Sequence, residues 1–390
     1  MPTPPRPGLD HGQRMLSFSA VVATVLLMTC LFTVNAPKAS GEESDPWTFV
    51  VIGDTRDERV DTATGVSPYL HVLAERIAEE RPDLVLHDGD LVNGYYTNAS
   101  SPIHGNYSAM FDNWKSEMAP VYDYNNGSGI PVYSIRGNHE DGELWTDAKL
   151  KQAYLDEMGW MMPLNGPPGE EGLTYSFVHN GAKFIMLDQY MGDTLMDKGA
   201  VNQLWLDKEL ASDRKPFTIV MAHTPAFKVC EDIMISPPPN MYNQPAARDR
   251  FWNSLADADV KTYFCGHAHL YCRGSLNGVQ QIVIGDCGAG FEPYDPADLM
   301  MTPEYPLEKV NSSVHQIGYM LVTVNEGNRS MDMVQKLYDV DTGLWSIGDR
   351  FTIAVGGEER SFDLIPWALG GTLVAAVAFA SIYWMVRKKA

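Results

Sequence analysis

The chain has 390 residues, enough for one large α/β domain or two ordinary ones. Fifty acidic side chains against 29 basic ones leave a net charge of −21, which repels nucleic acid and anionic lipid surfaces. No nucleic-acid partner is expected, and a phosphate-bearing ligand needs local positive charge, such as a metal ion, to bind.

In chain order, the first feature is the uncharged run Met15 to Ala36, which lies behind Arg6 and Arg14 and ends in small residues before Pro37 and Lys38. It reads as a secretory signal sequence or an uncleaved signal anchor, within a leader of residues 1–40. From 45 to 355 short apolar runs alternate with amphipathic stretches. Trp47 to Ile52, Asp83 to His87, Pro131 to Ile135, Phe217 to Ala222, Thr262 to Cys265 and Gln281 to Ile284 predict strands bounded by Gly, Pro or Asp. Leu70, Leu73, Ala74 and Ile77 recur at helical spacing, and Glu79, Glu80 and Arg81 close that helix before Pro82. Further helices are expected over Met110 to Ala119, Leu144 to Met158, Asn202 to Ala211 and Ala246 to Ala256. Thr174 to Phe177 with Lys183 to Leu187, and Met320 to Val324 with Met331 to Lys336, read as antiparallel hairpins. The alternation predicts an α/β layered domain with mixed sheets. Two long irregular stretches, Asn93 to Ala109 and the proline-rich Glu231 to Gln244, are either functional rims or surface decoration.

After the domain comes Leu364 to Val386, again uncharged and succeeded by Arg387, Lys388 and Lys389. At about 1.5 Å per residue this helix reaches roughly 34 Å, enough to cross a bilayer, and residues 387–390 form a basic cytoplasmic tail. The chain is expected to contact the membrane through this helix and to hold its domain outside the cytoplasm. Asn-x-Ser sequons at Asn98, Asn106, Asn126, Asn311 and Asn328 fit a glycoprotein. Cys230, Cys265, Cys272 and Cys287 either make two disulfides, in one of three connectivities, or are buried free thiols.

The chemistry lies in the short segments at the strand ends. The first strand ends in GDTR with Asp54, the second in HDGDLVNG with Asp90, and the third in RGNHED with Asn138, His139 and Glu140. The fourth ends in MAHTP with His223 and the fifth in CGHAHLYCR with His267 and His269. Five strand ends with metal-type ligands are expected to converge at the C-terminal edge of one sheet. Two cations about 3.5 to 4 Å apart need a bridging carboxylate, neutral imidazoles and an open position for water. Oxygen and nitrogen donors without thiolate favour Mn, Fe, Zn or Mg. His71 and His87 have no place in the pattern and are read as structural.

This order, GD, GDxxN, GNHE, a lone His after a strand and then GHAH, resembles the calcineurin-like metallophosphoesterase superfamily over about Val50 to Gly288, and GHAHLYCR is locally similar to purple acid phosphatases. The resemblance implies a four-layer α/β/β/α sandwich of two mixed sheets, two divalent metal ions and a phosphoester substrate. It makes Asp90 the bridging carboxylate. Asn138, His223 and His267 become the other ligands of the second metal, and Asp54 and His269 ligands of the first. His139 becomes the residue that contacts the phosphoryl oxygen or protonates the leaving alkoxide, oriented by Glu140.

Position 56 departs from the family. Many members carry a His ligand there, and an arginine offers no lone pair. Purple acid phosphatases instead supply a tyrosine three residues after the bridging Asp, where this chain has Asn93. Three readings stand: the first metal keeps Asp54, Asp90, His269 and waters and binds weakly; Arg56 reaches the substrate phosphate; or the first site is vestigial. The expected function is thus a membrane-anchored extracytoplasmic metallophosphoesterase, and its alternative a non-catalytic phosphate-ligand or surface binding module on the same fold.

Overall fold

A computed structural model describes residues 45–142, 147–192, 198–229, 240–290, 305–311 and 315–356. The leader 1–40, the span 364–386 with its tail 387–390, Cys230 and the proline run 237–239 lie outside the described residues. Among the described residues no helix is long and apolar enough to cross a membrane.

Fifteen strands are described: Trp47–Ile52 (β1), Leu84–His87 (β2), Tyr122–Asp123 (β3), Ser128–Gly129 (β4), Val132–Ser134 (β5), Tyr175–His179 (β6), Ala182–Met186 (β7), Phe217–Met221 (β8), Thr262–Cys265 (β9), Tyr271–Leu276 (β10), Val279–Ile284 (β11), Leu307–Asn311 (β12), Gln316–Asn325 (β13), Ser330–Asp339 (β14) and Leu344–Ala354 (β15). The helices are Leu70–Glu80 (α1), Tyr107–Glu117 (α2), Ala148–Glu157 (α3), Gln203–Ala211 (α4) and Pro245–Asp257 (α5). One sheet runs β15-β14-β13-β1-β2-β5, with β1, β2 and β5 parallel and β13 to β15 antiparallel. The other runs β12-β10-β11-β9-β8-β7-β6, its centre β11, β9, β8 and β7 parallel and its outer pairings antiparallel. The α/β architecture with mixed sheets is therefore as expected.

The two sheets share one apolar interior. Phe49 on β1 meets Phe184 on β7 and Phe264 on β9 edge-to-face, with ring centroids 5.4 and 6.3 Å apart. The opposite faces of β7, β8 and β9, through Ile185, Val220 and Tyr263, are covered by Leu206 and Leu210 of α4 and Phe251, Trp252 and Leu255 of α5. This alternation is why those strands read as continuous apolar runs: both faces are buried.

Helix boundaries differ from the apolar spacing where a cap sets them. α2 begins three residues before the predicted Met110, because the Asn106 side chain accepts from the Ala109 amide and starts the helix. Asp147 caps α3 in the same way. Strand β15 is absent from the predicted elements, since its side chains are mostly exposed and show no apolar alternation. Cys265, Cys272 and Cys287 are free, buried thiols, so of the two cysteine readings the described residues carry the second.

Candidate metal centre

Three ligand-bearing loops leave the C-terminal ends of β1, β2 and β5 in one sheet, and two leave β8 and β9 in the other. The expected convergence on one sheet edge is corrected: the centre is built across both sheets, which their shared core brings edge to edge. Glycines allow this nesting. A Cβ on Gly53 would lie 1.6 Å from Asp88 Oδ1, and one on Gly137 would lie 2.0 Å from Asp90 Oδ1. Asp54, Asp90 and His267 take positive φ angles of 50°, 56° and 70°. Such left-handed conformations cost energy in non-glycine residues and concentrate at functional sites.

Asp54, Asp90 and His223 each offer a ligand atom within 4.8 Å of the others, and all three are buried. His223 Nδ1 donates to the Asp88 carbonyl at 2.9 Å, which leaves a lone pair on Nε2. That nitrogen lies 3.1 Å from Asn138 Oδ1 and 3.5 Å from Asp90 Oδ1, both also acceptors. His267 Nδ1 lies 2.9 Å from the same Asn138 oxygen. A cation between them would satisfy acceptors that face one another in a buried site. The donor set of Asp90, Asn138, His223 and His267 fits a divalent ion.

The other expected position holds Asp54 and His269. Asp54 Oδ2 accepts from the His267 amide at 2.8 Å, whereas Oδ1 is buried without a hydrogen-bond partner, 3.7 Å from His269 Nε2. Burial, with the charges of Asp90 and Asp88 behind it, pushes the Asp54 carboxyl well above its ordinary range. Burial likewise lowers the imidazoles, His267 and His139 to about 3 and His223 and His269 downward, so each faces the site neutral. Burial also works against the ionised form of Asp90, but His139 and His223 in their protonated forms, together with Arg56, carry its carboxyl below the ordinary range.

His139 is oriented by Asn93, whose carbonyl accepts from Nδ1 at 2.9 Å, and its ring stacks on Tyr95 with centroids 4.9 Å apart. Its Nε2 lies 3.8 Å from Asp90 Oδ2. Glu140 does not orient His139 as expected. Its two oxygens accept from the backbone amides of Asp90 at 2.9 Å, Gly137 at 2.8 Å and Val92 at 2.9 Å. It is a brace that fixes the loop of the bridging carboxylate against the GNHE turn.

His87 is structural, as read. Its Nδ1 accepts from the Gly89 amide at 3.2 Å and its Nε2 donates to Thr55 Oγ1 at 2.9 Å, so both nitrogens are spent on backbone and packing. His71 sits on α1 beside Glu75 and Glu117, half exposed.

Sequence reasoning missed a buried cluster behind the GNHE turn. Arg136 makes a two-pronged bond to Asp188, 2.6 Å from Nε and 3.0 Å from Nη2, and a third bond to Asp141 at 3.3 Å. Asp141 also accepts from Lys198. The sequence hint was Arg136 and Asp141 on either side of the GNHE motif; Asp188 lies 52 residues beyond Arg136 and Lys198 lies 57 beyond Asp141, where no local pattern points.

Residues 48–271 match the family model for calcineurin-like phosphoesterase. The chain belongs to the calcineurin-like phosphoesterase family. Members are metallophosphoesterases that depend on a dinuclear divalent centre, and this chain carries a candidate site for it in Asp54, Asp90 and His223. Among solved structures, purple acid phosphatase PPD1 from yellow lupin (Lupinus luteus) seeds is similar at 19% identity and a TM-score of 0.57, over 80% of this chain and 54% of that one. The chain thus spans about half the length of the lupin protein, and the likeness is one of fold. GAP50, the anchor in the inner membrane complex of Plasmodium, is more distant, at 16% identity and a TM-score of 0.49 over 80% of this chain and 90% of that one. No curated protein matches the chain.

Proposed function

We propose that the chain hydrolyses a phosphoester outside the cytoplasm, from a four-layer sandwich anchored in the membrane by Leu364 to Val386. The observation that carries the catalytic part is the set of mutually facing acceptors, Asp90 Oδ1, Asn138 Oδ1 and His223 Nε2, in a buried pocket. When bound, a divalent ion supplies Lewis acidity and a water acidic enough to be hydroxide near neutral pH.

The chain's own residues do the rest. Asp90, Asn138, His223 and His267 hold the metal. His139, fixed by the Asn93 carbonyl, presents Nε2 to a phosphoryl or leaving-group oxygen, and Glu140 keeps Asp90 and the GNHE turn in register. Cationic charge at the centre offsets the acidic surface, which otherwise repels a phosphate. The extracytoplasmic assignment draws on the two hydrophobic segments and on Asn98, Asn106, Asn126 and Asn328, all solvent-exposed and open to glycan attachment.

The test is release of p-nitrophenol from its phosphate monoester and diester by the full chain, stripped of metal and titrated with Mn. Metal-dependent turnover, lost in His139→Ala while metal content persists, is expected. The second reading, a non-catalytic phosphate-binding module, is favoured by one observation: Arg56 intrudes on the first position. It predicts equal ligand binding and no turnover in wild type and variant alike.

A further inference from the structure

Arg56 does not extend toward open solvent. It is 8% exposed, and its backbone is tied down by a hydrogen bond from its amide N–H to the Asp90 carbonyl at 3.2 Å and by a bridge to Val66. Its Nη1 donates to the Asp57 carbonyl at 3.2 Å and to Asn93 Oδ1 at 3.5 Å, and the guanidinium sits 5.4 Å from the centre of the Tyr96 ring. The remaining edge turns inward. Nη2 lies 3.4 Å from His269 Nε2 and Nε lies 3.6 Å from Asp90 Oδ2.

Those two atoms, with the unpartnered Asp54 Oδ1, are the donors expected to hold the first ion. A fixed positive charge already stands among them, and a guanidinium is never deprotonated. Asn93 is part of the same arrangement. Where a tyrosine ligand is expected there is a short amide that anchors the arginine instead, and the same residue's carbonyl orients His139. An arm anchored on three sides is poorly placed to swing onto a substrate, which separates this arrangement from a mobile phosphate clamp.

Resting on the metal-site reading above, we infer that Arg56 takes the place of the first metal ion. The guanidinium supplies the positive charge between Asp54, Asp90 and His269, and the chain binds one divalent ion tightly, at Asp90, Asn138, His223 and His267. The donor set of the first position therefore does not fit a second ion while Arg56 is present.

The experiment counts metal and does not read turnover. Full-length protein stripped of metal is titrated with Mn(II), with bound metal measured by mass spectrometry and electron paramagnetic resonance. Wild type is expected to hold one ion per chain with the spectrum of an isolated Mn(II). Arg56→His, which restores an imidazole at this position, is expected to take up a second ion and show the spectrum of an exchange-coupled pair. Two tightly held, coupled ions in wild type would overturn the inference, as would an Arg56→His protein that folds yet still binds one. Should that variant not fold, the wild-type count alone decides. Absence of hydrolysis would sink the proposed function and leave this count standing.

Discussion

The two halves of the centre share Asp90 and differ in everything else. The Asn138, His223 and His267 half consists of neutral donors aimed at one point, two of them in contact with the same Asn138 oxygen. The Asp54 and His269 half has an orphaned carboxylate oxygen and a guanidinium lodged between the ligands. One half turns lone pairs toward a point that a cation would satisfy, and the other has a positive charge supplied by the chain. A family motif can thus be complete on one side and altered on the other within a single centre.

The largest effect is expected at the shared residue. Asp90→Asn keeps a side chain that tolerates the left-handed backbone at this position, but it removes the charge common to both halves. Bound metal is expected to vanish and turnover to fall by about a thousandfold or more; unchanged metal content would deny Asp90 its bridging place. The next substitution sharpens the contrast. His223→Ala is expected to cost about 10²- to 10³-fold in turnover and to empty the metal position, whereas His269→Ala, on the arginine side, is expected to cost about tenfold and to leave metal content unchanged. Equal losses in the two variants would mean that the halves are equivalent.

Glu140 tests the support beneath both. In Glu140→Gln the amide nitrogen must face at least one of the three backbone amides that donate to the native carboxylate. Leaving a buried donor unpaired costs about 1 to 3 kcal/mol. Metal affinity is expected to drop roughly 10- to 100-fold with the loosened loop. Chemical denaturation and metal titration on the same protein check both; a loss of affinity without a loss of stability would place Glu140 in the ligand set instead.

The clustering of the candidate donors was legible because a metal site demands particular residue types after particular strands, and GDxxN, GNHE and GHAH place them within a few residues of the strand ends. Asp54, Asp90, Asn138, His223, His267 and His269 all fall at one centre. Glu140 was misassigned because adjacency to His139 in sequence says nothing of which way a carboxylate turns in a 3₁₀ turn. Arg136, Asp188 and Lys198 were invisible, since ion pairs between distant segments leave no periodic trace. Asn93 carried a signal only by difference, as the residue standing where a tyrosine was expected. In the fold, strands buried on both faces were read correctly, while the exposed β15 gave no pattern to read.

The smallest effect concerns a carboxylate in neither half. Asp286 lies just past β11 and is 5% exposed. One oxygen accepts from Gln335 Nε2 at 2.8 Å and the other has no partner. Burial outweighs that bond and raises its carboxyl from 3.8 to about 6. The folded protein therefore holds this proton more tightly than the unfolded chain. Stability from this group is full below the unfolded value, falls as pH rises between 3.8 and about 6, and is absent at neutral pH. The ionised form then costs up to about 3 kcal/mol. Asp286→Asn keeps an acceptor for Gln335 and removes the ionisation. It is expected to be more stable than wild type at pH 7.5, by up to that amount, and to lose its advantage near pH 4, with metal content and turnover unaltered. Urea denaturation at the two pH values measures the difference. A gain that persists at pH 4 would show that it comes from packing and not from the proton.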